Sequence, residues 1–256
     1  MAESEANENS QYRFTDLKYL MQFLQLRMLS QRKGKAAMKA LETHISDATL
    51  YVLPTSASPP TRLTHSRQKH TYWVYALRFF KASLYLESSN PSDVHALENL
   101  KAITEMALQR GDYIVFILAS LLEGLSLLKH MKDDSIMRIQ GCIAQCQKYQ
   151  LDEVPRVPQV EVLLLMLDFA CSLHQKSPVI ITQKLKILQN HIDASLGNNQ
   201  WSLSDSQVLL PIKKQINGKQ FISEDTRGIL RPGLEHENCD YLVMSFWSKM
   251  EAFVMT

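Results

Sequence analysis

Four cysteines and eight histidines are the side chains with the most chemistry to offer, and their spacing decides whether they can use it. Cys142 and Cys146 fall four residues apart, on one face of a predicted helix, and would supply half of a tetrahedral metal site. Two further ligands are needed and none is evident, so the pair reads as buried free thiols. Cys171 and Cys239 are isolated and no CxxC occurs. That pattern suits a reducing compartment better than a disulfide framework. No two histidines lie at i, i+3 or i, i+4 on a helix with a carboxylate to complete a metal site. His44, His130, His174 and His191 are instead expected near helix C-termini, where a positive charge offsets the macrodipole.

The other routes to chemistry also close. Asp133-Asp134 opens a predicted helix, where carboxylates cap free amides, and does not read as a catalytic acid pair. Gly124-Leu-Ser126 is the nearest approach to a nucleophile elbow, but it lacks the second glycine and lies inside an apolar helix, so it reads as a packing contact. GxxxxGK, GxGxxG, HExxH and GxSxG are absent, and with them the local geometry of phosphate cradles and zinc proteases. A helical transferase for a lipid-like substrate would need convergent polar groups that do not accompany the apolar faces. No catalytic residue, metal ligand, cofactor or small-molecule substrate is assigned, and an enzyme is not expected.

Two features point to binding. Tyr72, Trp73, Tyr75, Phe79 and Phe80 put aromatic rings on nearly every face of one helix; they either pack between stacked helices or in part line a groove for an extended peptide. The stretch 53–70, with Pro54, Pro59 and Pro60 followed by Arg62, His65, Arg67, Lys69 and His70, has the composition of a basic, extended loop. It reads as a solvated linker or as a contact for DNA or an acidic peptide; interleaved aromatics for base stacking are missing. Whether it touches DNA directly stays open.

The elements that carry these residues recur. A heavy apolar helix followed by a lighter amphipathic one returns at intervals of roughly 40 residues, the signature of a helical-repeat array. Thr71 to Ser88, Asp112 to Met131 and Val160 to His174 are the heavier segments; Val94 to Gln109, Asp133 to Tyr149 and Thr182 to Ile192 follow them. Before these, Leu17, Leu20, Met21, Leu24 and Met28 form a stripe on a helix ending near Arg32, and after Gly34 a small-residue helix through Ala36, Ala37, Ala40, Leu41 and Ile45 completes a hairpin. Gly111-Asp112 is the clearest boundary, a C-cap followed at once by an N-cap.

The expected fold is therefore all-α, a TPR-like helical-repeat solenoid of antiparallel helix pairs over 15–196, after a disordered acidic N-terminus at 1–14. Residues 197–237 lose the periodicity and read as an irregular insertion with at most one short helix near Val208 to Ile216. Helix is expected to resume at Cys239, so that 238–256 begins a further repeat. Its apolar stripe of Met244, Phe246, Trp247, Met250 and Phe253 has no following partner, and the array is expected to be truncated. A formal charge of +2, from 28 basic and 26 acidic side chains, gives no global field toward nucleic acid or membrane. The N-terminus has no secretory pattern, and acidic or basic residues bound the most apolar runs well short of a membrane span. Cytosol or nucleus is expected, with no membrane contact.

Thr71 to Ser88, with Trp73, Leu77, Arg78 and the run Ala82-Ser-Leu-Tyr-Leu-Glu-Ser88, together with Gln109-Arg-Gly-Asp-Tyr113, resembles the fungal branch of the cohesin loading factor family, over Asp16 to about Lys213. The resemblance implies a nuclear TPR-type subunit without an enzymatic step. It would wrap the extended N-terminal segment of a large HEAT-repeat partner, adherin, and serve sister chromatid cohesion through cohesin and chromatin. It also implies a groove lined by the heavier helices, for which Tyr72, Tyr75, Arg78, Phe79 and Tyr113 are the candidates. The TPR signature is degraded and the spacing exceeds the usual repeat, so a helical subunit of a proteasome-lid or signalosome-like assembly is the alternative.

Overall fold

Long runs without proline or glycine, separated by short breaks, fold as helices, and the computed structural model shows eight of them among its described residues, 2–32, 34–52, 64–87, 93–129, 134–150, 157–197, 207–213 and 239–245. They are α1 (Ala2–Arg32), α2 (Gly34–Val52), α3 (Thr64–Glu87), α4 (Asp93–Arg110), α5 (Tyr113–Lys129), α6 (Ser135–Gln150), α7 (Pro158–Gln175) and α8 (Pro178–Gly197). Two strands, β1 (Gln207–Lys213) and β2 (Cys239–Ser245), pair into a two-stranded sheet. Apart from α3, the helices pack chiefly on a neighbour in sequence, α1 with α2, α4 with α5, α5 with α6 and α7 with α8, the helical-repeat fold that the recurrence predicts. The chain forms two compact units, one of Met1–Lys81 with Lys213–Cys239, the other of Ala82–Ile212 with Asp240–Thr256.

In the first unit α1 packs on α2, whose Ala37, Leu41, Ile45 and Ala48 recur every three or four residues and are buried. Aromatic rings tie α1 to α3: Tyr19 stacks on Trp73 with centroids 5.6 Å apart, and Phe23 meets Phe80 at 5.1 Å. The inward face of α1 is thus Tyr19, Phe23 and Leu26. The predicted stripe of Leu17, Leu20, Met21, Leu24 and Met28 points outward. Both stripes have helical spacing, and the one with rings to set against the α3 aromatics has the greater contact to gain.

Two further expectations are corrected here. The segment 1–14 belongs to α1 from Ala2 onward; Ala2, Glu3, Glu5, Ala6, Glu8 and Gln11 are good helix formers, and early carboxylates suit a helix N-terminus. The last seven residues of the loop expected at 53–70 are the first turns of α3, which starts at Thr64. Polarity suggested a loop, but after Pro60 nothing in the run breaks a helix. Residues 53–63 lie outside those described.

The second unit is built around α5, which is buried from Ile114 to Leu122 and again from Gly124 to Leu127, with α4, α6 and α7 packed on it. Gly111 sets its entry. At φ 75° this residue occupies the left-handed region, its N–H donating to Leu108 O while the Asp112 N–H donates to Ala107 O at 2.9 Å. The paired bonds are those of a Schellman ending, so the predicted boundary is observed. Asp112 is buried and accepts from Arg110 Nε at 3.1 Å. Gly124 sets the approach of α7: a Cβ there would lie 2.6 Å from Leu167 Cδ2, so the Gly124-Leu-Ser126 run is a packing contact as predicted.

Charge pairs join successive helices: Arg138 of α6 to Glu123 of α5 at 3.5 Å, Lys184 of α8 to Asp168 of α7, and His191 of α8 to Glu161 of α7 at 3.6 Å. His174 does sit in the last turn of α7. His44 and His191 do not lie at helix ends, because α2 and α8 continue to Val52 and Gly197; His130 is outside the described residues. The short helix expected near Val208 to Ile216 and the helix expected from Cys239 are replaced by β1 and β2. Val208, Leu210 and Ile212 alternate with period two, and Leu210 and Ile212 are buried, so a strand satisfies them where a short helix would not. The rest of 198–238 and residues 246–256 lie outside the described residues.

Replacing Asp112 by Ala removes a buried carboxylate from the guanidinium of Arg110, and should cost about 2–4 kcal/mol in denaturant unfolding. Lys176, left-handed at φ 55° between α7 and α8, should give the opposite result: Lys176→Gly relieves about 1 kcal/mol of backbone cost and raises the melting temperature.

Candidate partner-binding site

The α2 helix continues past Ile45 to Val52, and that extra length builds a groove against α3. The groove, about 390 Å³, is lined by Glu42, Ile45, Ser46, Thr49 and Leu50 of α2 and by Arg78 and Lys81 of α3, all within the first unit. Lys81 Nζ lies 3.1 Å from Glu42 Oε1, the lysine largely covered and the glutamate mostly in solvent. Arg78 is half-buried, and loss of hydration pushes its pKa down from the usual arginine value. Thr49 Oγ1 donates to the Ile45 carbonyl at 2.6 Å, which holds that hydroxyl against its own helix. Two cations, one carboxylate and an exposed Leu50 make a surface suited to an extended chain that carries a carboxylate beside an apolar residue.

Of the five residues predicted from sequence, only Arg78 lines this groove. Tyr75 and Phe79 are core residues, 0% and 1% exposed. Their rings fill the first unit and present no surface to a partner, which is the packing side of the two readings left open for the aromatic stripe. Tyr72 is half-buried, its ring edge-on to Trp73 at 5.3 Å. Tyr113 belongs to the second unit, stacked on Tyr149 with centroids 5.1 Å apart. None of the five candidates lies on α2, and Ser46, Thr49 and Leu50 lie beyond Ile45, the last residue named in that helix; Ala48 continues its stripe and was the available signal.

Cys142 and Cys146 lie on α6 as the spacing predicts, and Cys146 Sγ is 3.7 Å from the Ile117 carbonyl of α5. Burial pushes both thiols up to about 12, with Glu123 adding to the effect at Cys142 and Cys142 adding to it at Cys146. Burial, then Asp168, also raises Cys171. Among the described residues no group of three or more His, Cys, Asp or Glu could hold a metal ion, and no helix is long and apolar enough to cross a membrane.

A family model described as cohesin loading factor matches residues 9–256. The chain belongs to the cohesin loading factor family. Its role is thus in cohesin loading and sister chromatid cohesion, in partnership with the cohesin loader at chromatin. The match passes Lys213, where the resemblance in sequence had been expected to stop, and takes in both strands of this loading factor. No curated protein and no solved structure matches the chain.

The buried thiols give a measurable consequence. At pH 8, iodoacetamide should modify the buried Cys146 about a thousandfold more slowly in the native protein than in urea, and the half-buried Cys142 also more slowly, as read by peptide mass mapping; a similar rate at Cys146 would contradict its burial. Unfolded thiols lose their protons near pH 8.5 and these near 12, so the native state binds more protons between the two values. The stabilisation they give is full below that interval, and the melting temperature should fall as pH rises through it.

Proposed function

We propose that the chain is a non-catalytic scaffold subunit of the cohesin loader, acting in the nucleus, where it binds the extended N-terminal segment of the adherin partner. Family membership across residues 9–256 carries this reading. The physical case is one of entropy and area. A disordered arm can be ordered only by a surface long enough to repay its lost freedom, and successive helix pairs supply such a surface. In the first unit the α2–α3 groove supports the reading, with Arg78 and Lys81 offering charge-assisted hydrogen bonds to acidic side chains and Leu50 an apolar neighbour. Tyr72, half-buried beside Trp73, is the aromatic candidate of α3; Tyr113 remains a candidate in the second unit.

The test is co-purification of the full-length protein with the N-terminal segment of adherin, followed by thermal melting of the mixture. Binding should raise the melting temperature through linkage. Arg78→Gln with Lys81→Ala should weaken binding tenfold or more, the size expected for well-placed charged anchors, in a variant that circular dichroism shows to be folded. A stably folded protein that does not bind the segment would overturn the proposal.

A further inference from the structure

Among the described residues of the first unit, the outward stripe of α1 is the longest aligned run of exposed apolar side chains. Leu17, Leu20, Met21, Leu24 and Met28 are each 45–63% exposed, while Tyr19 and Leu26 on the opposite side are 2% and 0% exposed. At 100° per residue the five fall within a sector of about 100°, a straight ridge of roughly 16 Å over three turns. Scattered single hydrophobes on a surface need no explanation, whereas an aligned ridge of long side chains marks an interaction site. Two of the five are methionines, whose flexible thioethers adapt to a docked surface.

The edges of the ridge say what it takes. Lys18 and Arg32 border one side and Arg27 the other, all three exposed. From Leu17 to Lys35 the sequence holds Lys18, Arg27, Arg32, Lys33 and Lys35 and no Asp or Glu. A second copy of this ridge would bring its own basic edges against these, and like charges that close oppose association. We propose that α1 docks an amphipathic helix of a partner protein whose apolar face, with side chains at i, i+3 or i+4 and i+7, is bordered on both sides by carboxylates. The ridge provides the holes for that apolar face, and the basic edges set its orientation. Residues lining the α2–α3 groove take no part, so this proposal stands apart from the binding of the adherin segment.

The test uses the full-length protein and two synthetic helical peptides with the same leucine face, one flanked by Glu and the other by Lys, in fluorescence anisotropy at low and moderate salt. The Glu-flanked peptide should bind at least tenfold tighter, and salt should weaken it. Met21→Gln with Leu24→Gln should reduce that affinity tenfold or more without lowering the melting temperature, since both positions are exposed. Lys18→Glu with Arg27→Glu should invert the preference toward the Lys-flanked peptide, a result that a purely structural role would not produce. Equal affinity for the two peptides would overturn the proposal. So would peptide indifference joined to binding of phosphatidylserine vesicles, or to dimerisation in sedimentation that Met21→Gln with Leu24→Gln abolishes.

Discussion

The structure of the second unit depends on one constraint: α5 is too apolar to face water on any side. From Ile114 to Leu127 only Glu123 interrupts the buried run, and a Leu, Ile, Val or Phe is worth about 1.5–3 kcal/mol when fully covered. Such a helix dictates its neighbours. It must be enclosed on several sides, and α4, α6 and α7 do this. The turn at Gly111 returns the chain directly from α4 into α5, and the missing side chain at Gly124 lets α7 reach it through Leu167. Both glycines serve the same need, one by its backbone angle and the other by its lack of volume.

Polar contacts have a different part in this arrangement. Arg138–Glu123, Lys184–Asp168 and His191–Glu161 are partly exposed, and pairs of that kind add little net stability. Their placement is informative all the same, because each joins one helix to the helix before it. Burial supplies most of the free energy, and the charges sit where successive helices meet. Arg110–Asp112 differs from the others: its carboxylate is wholly buried at a chain reversal, where leaving it unpaired would be costly.

How much of this could be read in the sequence varies with the kind of signal. Gly111-Asp112 and the apolar run of α5 were legible, since a left-handed glycine and an all-round apolar helix each have few structural solutions. The facing of α1 was not: Leu17, Leu20, Met21, Leu24 and Met28 share the helical period with Tyr19, Phe23 and Leu26, and only tertiary contact chooses between them. Composition misled at 64–70, where basic residues resemble a loop but obey helix rules, and at Cys239, where seven residues are too few to separate period two from 3.6. Of the five candidates for partner binding, Arg78 lines the α2–α3 groove. Tyr75 and Phe79 belonged to the core, since rings that suit a groove suit a helix interface equally well.

The close approach at Gly124 also has a meaning in time. A helix that packs on its predecessor can be covered soon after leaving the ribosome, and most of this chain pairs that way. α5 also waits for a later helix, because the residue that closes on Gly124 is Leu167, in α7. At roughly 5–20 residues per second that closing residue is synthesised about 2–9 s later. For those seconds the most apolar helix of the second unit lacks part of its cover and exposes apolar surface that only later synthesis can bury.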